Sequence, residues 1–171
     1  DRLRPFGCRL IGHEPDAGGG HALPRRSLDA LLAEADAVIL AAPLTPATAG
    51  MIDTGRLRRL RPGTLLVNVG RGAVVDEAAV AQALADGHLG GYAADVYACE
   101  DRSLPDAPRT IPASLLAAER TLFTPHLGSA VDRVRECIAL AAADNVLDFA
   151  AGRPPRDAIN RGDLHPAGHR D

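Results

Sequence analysis

Four apolar runs set the fold. AVILAA at 37–42, TLLVNV at 64–69, GGYAADVY at 90–97 and TLFT at 121–124 are short, almost free of charge, and separated by segments of helical spacing. A strand buried on both faces reads as a continuous apolar run. Strands alternating with helices argue for a parallel sheet. The expectation is an α/β chain: a doubly wound parallel sheet covered by helices on both faces. CRLIG at 8–12 adds a candidate strand upstream.

Local signals punctuate the helices. Ser27 caps SLDALLAEA, Asp53 caps the short TGRLRRL, and Asp76 caps DEAAVAQALADG with Gly87 as its stop. The segment 15–24 is rich in Gly and Pro and reads as a loop, as does the Pro-rich stretch from 98 to about 120. A long helix is expected from Ser129 to about Ala151, ended by Gly152.

Composition excludes several chemistries. The chain has 171 residues, 46% of them apolar, and a formal net charge of −3. That is an ordinary globular balance with no polyanion-binding character, so no nucleic-acid partner is expected. Its Lys/Arg positions are all arginine, which rules out a lysine nucleophile or Schiff base within these residues. Cys8, Cys99 and Cys137 are odd in number and widely spaced; they read as free thiols in a reducing compartment, with no metal-binding spacing. No membrane partner is expected, and no signal peptide begins the chain. The expected location is cytoplasmic.

In open α/β sheets, ligands bind beyond the carboxyl ends of the strands, so the residues that end each run carry the functional reading. The runs lead to His13-Glu14, to Ala42-Pro43-Leu44-Thr45, to Asn68-Val69-Gly70-Arg71-Gly72, to Asp95 and on to Glu100, and to Pro125-His126. Arginine, glutamate and histidine thus converge on one edge. Glu100 beside His126 would raise the imidazole pKa and fix its tautomer. Arg71, between two glycines, presents a planar fork to an oxyanion. The same residues would also suit a capping Arg–Glu pair and a histidine satisfied within its turn. Glu14 would accept hydrogen bonds from adenosine ribose hydroxyls, and with Pro15 after it favours NAD over NADP. It would equally suit an exposed loop.

PLTPATAGMI, LLVNVGRGAVVDEAAV, AADVY and TPHLGS, in this order and spacing, resemble the nucleotide-binding domain of the D-isomer-specific 2-hydroxyacid dehydrogenases over about residues 1 to 160. The resemblance implies a Rossmann-type sheet and the cofactor NAD, held by Glu14, Pro43, Thr48, Val69, Gly70, Asp95, His126 and Gly128. It implies that Arg71 binds a small anionic substrate and that Glu100 and His126 form the acid/base pair, with His126 the general base. Within the family, LGGYAADVYACED, APRTIPASLL, RTLFTPHLGSAVDRVRECI and AIN-R are most similar to the phosphonate dehydrogenases, which oxidise phosphite to phosphate. In that subgroup an arginine two turns into the helix after the histidine reaches the substrate. Arg135 holds that place here, and a solvated helix arginine is the plain alternative. Ala98 and Arg102 depart from the pattern, which usually has an acidic residue and a tryptophan there. The alternatives are a D-2-hydroxyacid dehydrogenase of the glycerate or hydroxypyruvate type, or a non-catalytic NAD-sensing module.

The resemblance also implies that the first strand, its GxGxxG loop and part of a substrate domain belong before Asp1. Residues 1–152 are then expected to be a partial NAD-binding domain, and 153–171 a tail returning to that substrate domain. Such a fragment would be inactive alone, and the full-length enzyme a homodimer. No metal site is expected.

Overall fold

The strands all run the same way. In the computed structural model, which describes residues 3–14, 23–101 and 107–159, β1 (Ala37–Leu40), β2 (Thr64–Asn68), β3 (Leu89–Ala94) and β4 (Thr121–Phe123) form one parallel sheet in the order β1-β2-β3-β4. The expected α/β class is therefore present. The connecting helices are α2 (Thr54–Leu57), α3 (Glu77–Ala85) and α4 (Ala113–Leu116), with α1 (Leu28–Glu34) preceding the sheet. The three expected caps all form: Ser27 accepts from Ala30 N, Asp53 from Arg56 N, and Asp76 from Ala78 and Ala79 N.

The chain divides into two units, Asp1–Pro125 and His126–Asp171. In the first, Val38, Leu40, Leu66, Tyr92 and Ala94 share one sheet face and pack with Leu32, Leu57, Val80, Leu84 and Leu115 of the four helices. On the opposite face Ile39, Leu65 and Leu122 are 48%, 50% and 66% exposed and Val67 and Ala93 are half-buried. Within this unit the connecting helices pack on one face of the expected Rossmann-type sheet. Crossovers between parallel strands are right-handed. Strands added steadily in one direction therefore place every connecting helix on the same side.

The strand expected at CRLIG is corrected. Among the described residues only Gly12 of this run pairs, through a single bridge to Arg25, and Cys8 to Ile11 have no ladder. An apolar run becomes a strand only where a neighbour takes its backbone groups. The loop expected at 15–24 and the tail beyond 159 fall mostly outside the described residues, as does Arg102.

In the second unit, α5 (Asp132–Ala150) begins three residues later than expected and is followed by the expected stop, Gly152, at φ 72°. Arg153 and Arg156 fold back onto it and donate to the buried Asp148. No helix among the described residues is long and apolar enough to cross a membrane.

One irregularity fixes the register of β2 on β3. Thr64 pairs with Leu89 and Leu65 with Gly91, so Gly90 is an extra residue. A Cβ on Gly90 would lie 2.1 Å from the Gly63 carbonyl oxygen. Gly90→Ala should destabilise the fold by about 3 kcal/mol, the upper end of overpacking costs, read from the urea midpoint; an unchanged midpoint would show that this strand start is pliable.

Candidate active site

Past the carboxyl ends of β1 and β2 lies a cleft of about 820 Å³. Pro43, Val69, Gly70 and Arg71, all expected at the site, line it together with Asp101. The turn after β2 is built by Asn68, which is fully buried. Its Nδ2 donates to the Arg71 carbonyl at 3.0 Å and its Oδ1 accepts from Gly70 N at 3.1 Å. The side chain thus closes the turn. A Cβ on Gly70 would stand 2.6 Å from the Ala42 carbonyl oxygen, so the end of β1 lies directly against this turn. Arg71 is exposed, and Nη1 donates to the Gly70 carbonyl at 2.8 Å; a guanidinium carries five N–H donors in all.

The end of β3 is joined to that of β4. Thr124 Oγ1 donates to Asp95 at 2.5 Å, and Tyr97 donates to the Thr124 carbonyl at 2.8 Å. The chain then forms a 3₁₀ turn, Ala98–Glu100, which leaves Glu100 exposed. A matching 3₁₀ turn, Gly72–Val74, follows Arg71. Arg71 and Glu100 are therefore each presented by a short turn at a strand end.

Other expected residues fare differently. Thr48 spends its hydroxyl on its own loop, donating to the Pro43 carbonyl at 2.6 Å and accepting from Thr45 N at 2.8 Å. Glu14 is exposed just past the Gly12–Arg25 bridge and does not line the cleft. In the second unit, His126 is exposed with φ 54°, a left-handed backbone uncommon outside glycine. Gly128 lies in the turn closed by Ala130 N donating to the Leu127 carbonyl. Arg135 is exposed and is the fourth residue of α5, so it stands about one turn into the helix and not two.

Glu77 escaped the sequence reading. It is 5% exposed, and Oε1 accepts from Ala98 N at 2.9 Å. Burial pushes its carboxyl above the ordinary range; the Ala98 N–H draws it back, and the Glu100, Asp101 and Asp76 carboxylates add to the rise. The signal was present in the sequence: Glu77 falls on the same α3 stripe as Val80, Ala81 and Leu84.

The geometry fits a nucleotide. A cleft at the strand ends, lined mostly by small and apolar residues and with the Gly70 backbone set against the end of β1, suits an extended cofactor lying against main chain. The model for the NAD-binding domain of the D-isomer-specific 2-hydroxyacid dehydrogenases matches residues 1–128. The chain belongs to this family. It is 35% identical over 164 residues to the glyoxylate reductase of Thermococcus kodakarensis, covering 94% of this chain and 47% of that protein. It is 34% identical over 165 residues to the D-3-phosphoglycerate dehydrogenase of Mycobacterium bovis, covering 94% and 30%. A crystal structure of a Thermus thermophilus protein superposes with a TM-score of 0.77 at 37% identity, covering 92% and 48%. The chain thus spans half or less of the length of these relatives. None of the three is named as a phosphonate dehydrogenase, so the likeness holds at the level of the dehydrogenase family and its NAD-binding domain.

Glu77 makes a pH test available. Its raised pKa means that the native state keeps a proton which the unfolded chain gives up at about pH 4.5. Stability from this group therefore declines as pH rises above that value. The stability of Glu77→Gln relative to the parent should climb between pH 4.5 and 7.5 in urea titrations. A constant difference would mean that Glu77 is charged in the native state throughout.

Proposed function

We propose that the protein transfers hydride between NAD and C2 of small 2-hydroxy and 2-oxo acids. The observation that carries this reading is Arg71, presented at the mouth of the cleft by a turn braced on Asn68. A guanidinium so placed matches a carboxylate with two parallel N–H···O bonds. Relatives named glyoxylate reductase and D-3-phosphoglycerate dehydrogenase support that substrate class. When bound, NAD supplies the hydride acceptor or donor. Pro43, Val69, Gly70 and Asp95 would flank it, with Thr48 holding the first loop in shape. Glu14 would meet the adenosine ribose and Gly128 would allow close approach beside His126.

The roles of Glu100 and His126 rest on the family pattern. His126 takes the hydroxyl proton as the C2 hydride leaves, and returns it in the reverse direction. Glu100 stabilises the imidazolium. Arg71 holds the carboxylate and polarises the adjacent carbonyl. A homodimer in the cytoplasm belongs to the same proposal.

A second reading is favoured by one observation, the similarity of 89–101 and 120–138 to phosphonate dehydrogenases. There water attacks phosphorus, the P–H hydride departs, and His126 takes a water proton. Arg71 and Arg135 would share the charge of the doubly negative oxyanion.

The intact protein should oxidise NADH with glyoxylate or hydroxypyruvate faster than it reduces NAD with phosphite at equal concentration. Phosphite-dependent NADH formation without turnover of any 2-hydroxy or 2-oxo acid would promote the second reading. His126→Ala should lower kcat by about 10²–10⁴, the usual weight of general acid–base catalysis, while NAD affinity measured by calorimetry stays within twofold. Near-normal turnover would remove His126 from the chemistry.

A further inference from the structure

The two turns that present Arg71 and Glu100 come from different strands, yet they are in direct contact. A Cβ on Gly72 would lie 1.8 Å from the Tyr97 carbonyl carbon and 2.2 Å from Ala98 N. Along this seam each turn offers a backbone N–H to a carboxylate from the other side. Ala73 N, in the first turn, donates to Asp101 Oδ2 at 2.7 Å. Ala98 N, in the second, donates to Glu77 Oε1 at 2.9 Å. Asp101 directly follows the Glu100 turn, and Glu77 opens the helix that follows the Arg71 turn. The bonds are therefore reciprocal. Each turn is tied to the other by a carboxylate carried beside its partner.

Burial makes this more than incidental. Glu77 is enclosed, and its second oxygen, Oε2, has no hydrogen-bond partner among the described residues. A buried carboxylate with an unsatisfied oxygen costs stability, and an apolar residue of similar size would often serve better for packing alone. What an apolar residue could not supply is an acceptor for Ala98 N. Asp101 in turn lines the cleft beside Arg71 while its Oδ2 is committed to Ala73.

We propose that Glu77 and Asp101 form a crossed latch that sets the spacing of Arg71 and Glu100, and that both are positioning residues for the reaction. As a statement about catalysis, this rests on the dehydrogenase reading above. As a statement about the two turns, it stands on the contacts alone. A displacement of about 1 Å in a catalytic group can cost 10²-fold in rate, so loosening the seam should be visible in turnover.

The test uses four variants of the intact protein: Asp101→Ala, Asp101→Asn, Glu77→Ala and Glu77→Gln. The alanine variants should lose tenfold or more in kcat/KM with the best acid substrate while NAD affinity falls less than threefold. The amide variants keep an oxygen acceptor, so each should recover to within about threefold of the parent. Hydrogen exchange provides a readout independent of substrate: the Ala73 amide in Asp101→Ala and the Ala98 amide in Glu77→Ala should exchange at least tenfold faster, with β2 amides unchanged. Unaltered kcat/KM in both alanine variants would overturn the proposal, as would amide variants as impaired as the alanines, or unaltered exchange at both amides. If the intact protein turned over none of the substrates, the dehydrogenase reading would fail while exchange still decided the latch. If Glu77→Ala did not fold, Asp101→Ala and the two amide variants would carry the decision.

Discussion

The backbone of Tyr97 and Ala98 occupies the space where residue 72 would carry a side chain. The candidate site depends on that contact. It requires β2 and β3 to end level, which they do: Asn68 pairs with Ala94, and Asp95 N donates to the Asn68 carbonyl at 3.0 Å. The level ends follow from the bulge at Gly90, which absorbs one residue at the other end of the pair. The crossover through α3 then brings the two parallel strands side by side. Arg71 and Glu100 lie 29 positions apart in sequence and are delivered to one edge by this geometry.

The sequence was most readable where the physics is local. Ser27, Asp53 and Asp76 were legible as caps because a short oxygen side chain meets N–H groups two or three residues on, whatever the rest of the chain does. The cores of the four strands were legible from their unbroken apolar character. Their ends were not, because a ladder stops where its partner stops: GGYAADVY is regular only to Ala94. CRLIG shows the same limit in full, and the late start of α5 shows it for helices, since Val131 enters with an extended backbone.

At the site, the residues expected to meet a ligand were easier to name than those that shape the turns around them. Arg71, Glu100 and His126 stand out as polar residues at strand ends. Asn68, Glu77 and Asp101 work through backbone amides and carbonyls of other elements, which only the tertiary fold brings near. Thr48 illustrates the reverse case, a residue marked for ligand contact whose hydroxyl is used to shape its own loop. His126 combines both sides of the lesson. Pro125 and Gly128 announce a constrained turn, and the left-handed backbone at His126 is visible only in the folded chain.

The account rests most heavily on Arg71 as the anion-binding group of the cleft. The most direct measurement is a crystal structure of the intact protein with NADH and oxamate, an unreactive isostere of a small 2-oxo acid. The account predicts the oxamate carboxylate on the Arg71 guanidinium, with paired N–H···O distances of about 2.7–2.9 Å. Ala73 N should still donate to Asp101. Oxamate bound elsewhere, with Arg71 making no contact to it, would contradict the account.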